Sequence, residues 1–352
     1  MPATKMRHQT GIQWTHVPGY IGDRWNPTTG CTRVSPGCEH CYAFALHDQR
    51  YVVNRDHARK YAMSPATYRQ ALKNGGAFPP LPMAPQYDVP FSTVQVLDDK
   101  RLTEPLRKRQ PHAFFVDSMS DLFHEDVPAD FILRVWKVMR ESPQHLFLIL
   151  TKRPRRMQDI VQRISWATPT AEEREAGATG YQPYFGAPGS APLPNVWLGT
   201  SVENNEVAQA RCEALIDTPA AVRFLSCEPL LEDISAEVQL ALGAAGPRYP
   251  RSEIDWVIVG GESGAHSRPF DLGWARALRL ECQGAGVAFF MKQMGSKPTV
   301  TALDIEAGDP VFELRFKHNH GGNPQEWPED LRVREFPAGH ADWFSQAEAV
   351  SA

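Results

Sequence analysis

Leu146-Phe-Leu-Ile-Leu-Thr-Lys-Arg153 is an unbroken apolar run that stops at polar and ionisable residues. Consecutive large apolar side chains suit a strand covered on both faces, as in a parallel sheet. The form recurs in Ala113-Phe-Phe-Val-Asp117, Val196-Trp-Leu-Gly199, Val222-Arg-Phe-Leu225, Trp256-Val-Ile-Val259 and Val287-Ala-Phe-Phe290. Between these runs, residues 129–141, 204–216 and 271–284 carry apolar side chains at helical spacing. The alternation predicts an α/β fold: a parallel (β/α) barrel, partial or complete TIM-like, with helical and loop insertions and a small C-terminal extension. The barrel is expected over 1–298, with insertions at 51–92, 162–194 and 237–253, and the extension over 299–352. The Gly-, Ala- and Pro-rich stretch 170–194 reads as a mobile loop.

The chain has 352 residues, 42% hydrophobic and 22% charged, with a net charge of −4, ordinary values for a globular protein. That balance argues against a globally basic nucleic-acid coat, although Arg107-Lys-Arg109 and Lys152-Arg-Pro-Arg-Arg156 are local basic runs. No stretch approaches the ~18 apolar residues of a membrane span, and residues 1–10 lack the apolar core of a secretion signal. Six cysteines are too few for a disulfide scaffold, so a cytoplasmic setting with a metal site is expected.

In parallel barrels, reactive groups project from the C-terminal strand ends. Here those ends read Asp117-Ser-Met-Ser120-Asp121, Thr151-Lys152-Arg153, Thr200-Ser201-Val-Glu203-Asn204, Ser226-Cys227-Glu228-Pro229, Gly260-Gly261-Glu262-Ser263 and Lys292-Gln293. Helix capping accounts for Asp, Ser and Thr in such places, but it needs no Lys152, Glu203, Glu228 or Lys292. The six ends are therefore expected to build one polar pocket. Gly260 and Gly261 would let backbone approach a ligand closely.

Three cysteines fall within eleven residues, Cys31-Thr-Arg-Val-Ser-Pro-Gly-Cys38-Glu-His-Cys41, spaced C-x6-C-x2-C. Three thiolates can hold three corners of a metal centre and leave the fourth open, as reactive sites do. A helix starting near Cys41 would set Cys38 and Cys41 at its positive end, favouring thiolate. A zinc ion completed by His16, His40 or His47 is the alternative, but no second C-x2-C pair exists to match the usual structural site.

A three-cysteine loop after the first strand of a βα-barrel with polar strand ends resembles the radical S-adenosylmethionine superfamily. More narrowly, the chain resembles a phage- and prophage-associated family of uncharacterised three-cysteine proteins. The segments that carry this are Trp25-Asn-Pro27, Gly30-Cys-x6-Cys-x2-Cys-Tyr-Ala43, Asp117-Ser-Met-Ser-Asp-Leu-Phe123, Leu150-Thr-Lys-Arg-Pro154, Gly199-Thr-Ser-Val-Glu-Asn204, Ser226-Cys-Glu-Pro-Leu230, Gly260-Gly-Glu-Ser-Gly264 and Lys292-Gln293, with Trp327–Pro337 in the tail. The resemblance implies a 4Fe–4S cluster on Cys31, Cys38 and Cys41 that binds S-adenosylmethionine at its open iron and cleaves it reductively to a 5′-deoxyadenosyl radical. It also implies an electron donor such as a flavodoxin or ferredoxin, and a separate three-cysteine-motif partner protein. Asp117, Ser118, Ser120, Asp121, Thr200, Ser201, Glu203, Gly260, Gly261 and Glu262 would contact S-adenosylmethionine or substrate. Lys152, Arg153, Glu228 and Lys292 are the substrate candidates, the cations among them neutralising an anionic group.

The superfamily's commonest loop is C-x3-C-x2-C, and its usual aromatic residue before the third cysteine is His40 here. A phage-related context points to a nucleotide or nucleic acid as substrate, with 152–156 as the local support. Two rival readings stand beside this one. The first is a zinc-stabilised barrel hydrolase or nuclease-like enzyme using Asp117, Glu203 and Glu228 for acid–base chemistry. The second is a non-catalytic module that works through its partner protein.

Overall fold

In the computed structural model, residues 10–167, 182–186, 192–243, 253–300 and 312–338 are described. Seven parallel strands form one curled sheet: β1 Ile21–Trp25, β2 His112–Val116, β3 Leu146–Thr151, β4 Val196–Ser201, β5 Val222–Cys227, β6 Trp256–Gly260 and β7 Ala288–Gln293. Each strand pairs with the next in chain order, so the sheet runs β1 to β7 without a switch point and makes a half-barrel. The six strands after β1 coincide with the six apolar runs. The principal helices are α1 Tyr42–Arg59, α2 Pro65–Lys73, α3 Ala129–Arg140, α4 Pro154–Val161, α5 Asn205–Ile216, α6 Ser235–Ala241 and α7 Leu272–Ala285. Among the described residues, no helix is long and apolar enough to cross a membrane.

Strand side chains alternate between two cores. Phe114, Val116, Phe147, Ile149, Leu198, Leu225, Val257 and Met291 face outward and pack with apolar residues of the helices, such as Phe131, Val135, Leu215 and Leu278. Leu148, Trp197, Phe224, Trp256, Ile258 and Phe290 face inward. The short helical turn Gln13–Thr15 brings Trp14 into that inner core, 4.7 Å from Phe115 and 6.0 Å from Phe224, ring centre to ring centre. Bulky rings thus fill part of the curl, while the inward positions at the C-terminal ends are polar: Ser201, Ser226 and Lys292.

The free edge of β7 is covered rather than open. Met291 N–H donates to Val333 O, and Glu335 N–H donates to Phe289 O, giving an antiparallel bridge between Phe290 and Arg334. Trp256 Nε1 donates to Glu335 O, and Trp327 is buried nearby with Arg334 over its ring. The polar-looking tail Trp327–Pro337 therefore caps an edge that would otherwise expose unpaired backbone. Within the expected insertions, 51–92 holds the second half of α1 and all of α2, and Ile164–Ala167 pairs antiparallel with Gln182–Phe185. The expected mobile loop 170–194 falls largely outside the described residues, as do much of 237–253 and nearly half of 299–352.

Candidate functional site

The chain leaves β1 at Trp25 and crosses the C-terminal rim as the cysteine loop. Each step of that crossing is tied to a strand end. Asn26 Oδ1 accepts from Ser118 Oγ and from Met119 N–H at 3.1 and 3.2 Å. Thr28 N–H donates to Asp117 Oδ1 at 3.1 Å, and Thr28 Oγ1 lies 2.9 Å from Asp117 Oδ2 and 2.8 Å from Ser120 Oγ. Gly30 is at φ +93°, and a Cβ there would fall 2.3 Å from Thr93 O, so only glycine permits this turn into Cys31.

Beyond Cys31 the contacts become ionic. Arg153 donates to Thr32 Oγ1 and Thr32 O, and its Nη1 lies 3.6 Å from Cys31 Sγ and 3.1 Å from Asp121 Oδ2. Ser35 Oγ donates to Glu203 Oε1 at 3.0 Å. Glu203 is itself held by Lys152 Nζ at 2.5 Å and Arg211 Nη1 at 2.9 Å. Gly37 passes so close to this group that a Cβ would stand 2.5 Å from Glu203 Cγ. Arg268, paired with Glu262, donates to Pro36 O at 3.0 Å. Tyr42, the first residue of α1, donates its hydroxyl to Ser118 O at 2.6 Å.

Cys31, Cys38 and Cys41 all line one cavity of ≈500 Å³ at the rim. Cys41 is the N-cap of α1, and Cys38 ends the short turn Pro36–Cys38 just before it, so both sit at the helix's positive end, as the sequence predicts. Burial pushes the Cys31 thiol up to about 12, with Asp121 adding to the rise and Arg153 opposing it. A bound cation would displace that proton, because metal binding and thiol ionisation are coupled. Among the described residues, no group of three or more His, Cys, Asp or Glu side chains is preset to hold a metal ion. The three thiols share one pinned loop and line one cavity, the kind of donors a metal centre with an open corner would use.

Most of the predicted site residues meet here. Asp117, Ser118, Ser120, Asp121, Lys152, Arg153, Ser201, Glu228, Gly261, Glu262 and Lys292 line the cavity with the three cysteines. Thr200, Glu203 and Gly260 do not. Thr200 is fully buried and donates to Thr151 O; Glu203 is buried behind Gly37; Gly260 packs against Glu228. Lys152 and Arg153, expected to meet an anionic ligand, are instead paired with Glu203 and with Asp121 and Glu125. Arg156 donates to the carbonyls of His124 and Val127. Lys152, Arg153 and Arg156 are therefore internal braces, and only Arg155 of this run is exposed, its side chain 66% so.

Sequence reasoning missed the loop's other anchors: Thr28, Thr32, Ser35, Arg211 and Arg268. It also missed Arg24 and Tyr42, which line the cavity. Arg24 lies in Ile21-Gly-Asp-Arg-Trp25, too polar for the apolar-run test that found the other strands.

Asp117 shows how far the loop is built into the rim. It has φ +57°, a left-handed conformation that Asp tolerates better than most residues. Burial raises its carboxyl to about 7, against hydrogen bonds from Ser120 and Thr28 that favour the ionised form. The unfolded chain releases this proton near 3.8 and the folded chain near 7, so Asp117 makes stability fall as pH rises between those values. Asp117→Asn keeps an acceptor for Thr28 N–H and should remove that slope. Denaturant midpoints measured at about pH 5 and about pH 8 should then differ less in the variant than in the wild type; an unchanged difference would refute the shift.

Fold and site together define an α/β half-barrel protein with a three-cysteine loop pinned across its C-terminal rim. The chain belongs to the family described as Protein of unknown function (DUF5131), matched over residues 9–323. No curated protein and no solved structure matches it.

Proposed function

We propose that the chain is a radical S-adenosylmethionine-type iron–sulfur enzyme on a partial TIM-like barrel. The observation that carries this reading is the convergence of Cys31, Cys38 and Cys41 on one cavity at the C-terminal end of a parallel half-barrel. A 4Fe–4S cluster binding S-adenosylmethionine supplies one-electron reductive cleavage when present. The chain's own residues hold the loop, orient it and line the substrate space. Asp117, Arg153 and Glu203 fix its path through Thr28, Thr32 and Ser35. Phe115 and Leu150 give the cavity an apolar side, and the Lys292–Glu228 pair, at 2.5 Å, gives it a polar one. A flavodoxin or ferredoxin would supply the electron, and a three-cysteine-motif partner protein remains part of the proposal. With Lys152, Arg153 and Arg156 engaged internally and only Arg155 exposed, a nucleotide or nucleic-acid substrate rests chiefly on the family resemblance.

Anaerobic reconstitution tests the reading. The protein should turn brown and hold about four iron and about four sulfide per chain. With a reductant it should convert S-adenosylmethionine to 5′-deoxyadenosine, and Cys38→Ala should lose both the cluster and the product. Colourless protein carrying one zinc would overturn the proposal in favour of a zinc-stabilised barrel. Full cluster loading without cleavage would overturn it in favour of a non-catalytic, partner-binding module.

A further inference from the structure

Once the loop's anchors are accounted for, the cavity still holds polar groups without protein partners. Trp25 sinks into the outer core, so strand alternation turns its neighbour Arg24 to the inner face, where it lines the cavity. Among the described residues, the Arg24 guanidinium has no hydrogen bond or ion pair. The other permanent cations there are all paired: Lys152 with Glu203 at 2.5 Å, Arg153 with Asp121 at 3.1 Å and Lys292 with Glu228 at 2.5 Å. Ser201 and Ser226 are only 3% and 2% exposed and line the same cavity, yet neither hydroxyl has a partner among the described residues. Both hydroxyls open onto the cavity, where a ligand or water can complete them.

We propose that this cavity binds an organic oxyanion, with its phosphate or carboxylate gripped by Arg24, its body against Phe115 and Leu150, and its polar substituents served by Ser201 and Ser226 beside Lys292–Glu228. A guanidinium matches both oxyanions through paired N–H donors. A volume of ≈500 Å³ suits a small organic molecule. That this oxyanion is the substrate rests on the enzyme reading above; that it binds does not.

Phenyl phosphate, benzoate and phenol share one ring and differ in the group presented to Arg24, so titration calorimetry of the full chain with each is the test. Phenyl phosphate or benzoate should bind, and Arg24→Ala should weaken the charged probe about tenfold or more while leaving phenol unchanged. Arg24→Lys, which keeps the charge and loses the fork, should fall between and guards against a folding defect in the alanine variant. Preference for phenyl phosphate identifies a phosphate ligand, and preference for benzoate a carboxylate. No binding of either anion to the wild type, or binding indifferent to Arg24, overturns the inference. Iron content measured alongside separates the two proposals. Arg24-dependent binding to a chain that holds no iron would sink the cluster reading alone. A loaded chain that ignores both anions would sink this one alone.

Discussion

Glu203→Gln is expected to destabilise the folded chain by about 3–5 kcal/mol, the usual cost of removing one partner from a buried charge cluster. Glu203 is fully buried and receives Lys152, Arg211 and Ser35 at 2.5, 2.9 and 3.0 Å. An amide of the same shape removes the charge that two cations share. Lys152 can turn towards the cavity, but the Arg211 side chain is only 8% exposed and would remain buried without its counter-charge. Burial works to raise the Glu203 carboxyl, and Lys152 and Arg211 outweigh it, holding the group below the ordinary carboxylate range. Its stabilising effect is therefore present above that range and lost as pH falls through the depressed value. The variant should lack that part of the wild type's acid sensitivity. Urea titrations at neutral and acidic pH would measure both effects. Because Ser35 anchors the loop through Glu203, Cys38 should also react faster with a thiol reagent in the variant. Equal stability and equal thiol reactivity would show that the cluster does not hold the loop.

Arg153→Met is the second large effect, also about 3–5 kcal/mol. The Arg153 side chain is 5% exposed and its partner Asp121 7%, so the pair is shielded from solvent. Methionine fills much of the space but leaves Asp121 without its cation and Thr32 without two donors. Asp121 would still accept from Thr151 Oγ1 and from the N–H groups of Lys152 and Phe123, which limits the loss. Arg153 also opposes the rise in the Cys31 thiol, so its removal should push that thiol further up and slow alkylation of Cys31. Glu125→Gln provides the contrast. Glu125 pairs with the same guanidinium but is 65% exposed, and its loss should cost about 0.5 kcal/mol or less. Comparable effects from the two variants would mean that the buried half of this network carries no special weight.

The strands were legible because they are buried on both faces. Leu146–Leu150 and Trp256–Val259 had no polar position to obscure them, and the helices over 129–141, 204–216 and 271–284 showed their apolar faces directly. β1 carries no apolar run to mark it, since Gly22, Asp23 and Arg24 interrupt it. The helix Pro154–Val161 was hidden beneath a basic run most of whose charges are paired or hydrogen-bonded within the protein. The edge role of Arg332–Phe336 depends on meeting β7, a contact more than forty residues away in the chain.

By itself, the sequence determined the parallel sheet, the order of its βα units and three cysteines on one loop at the end of the first strand. Those follow from local patterns: apolar continuity, helical periodicity and the spacing of thiols. The tertiary structure alone decided what each polar strand end does. Asp117, Asp121, Arg153 and Glu203 hold the loop, whereas Arg24, Ser201 and Ser226 face the cavity without partners. A carboxylate or guanidinium has the same bonding capacity in either role, and only the distance to its neighbours in the folded chain assigns it to the scaffold or to a ligand.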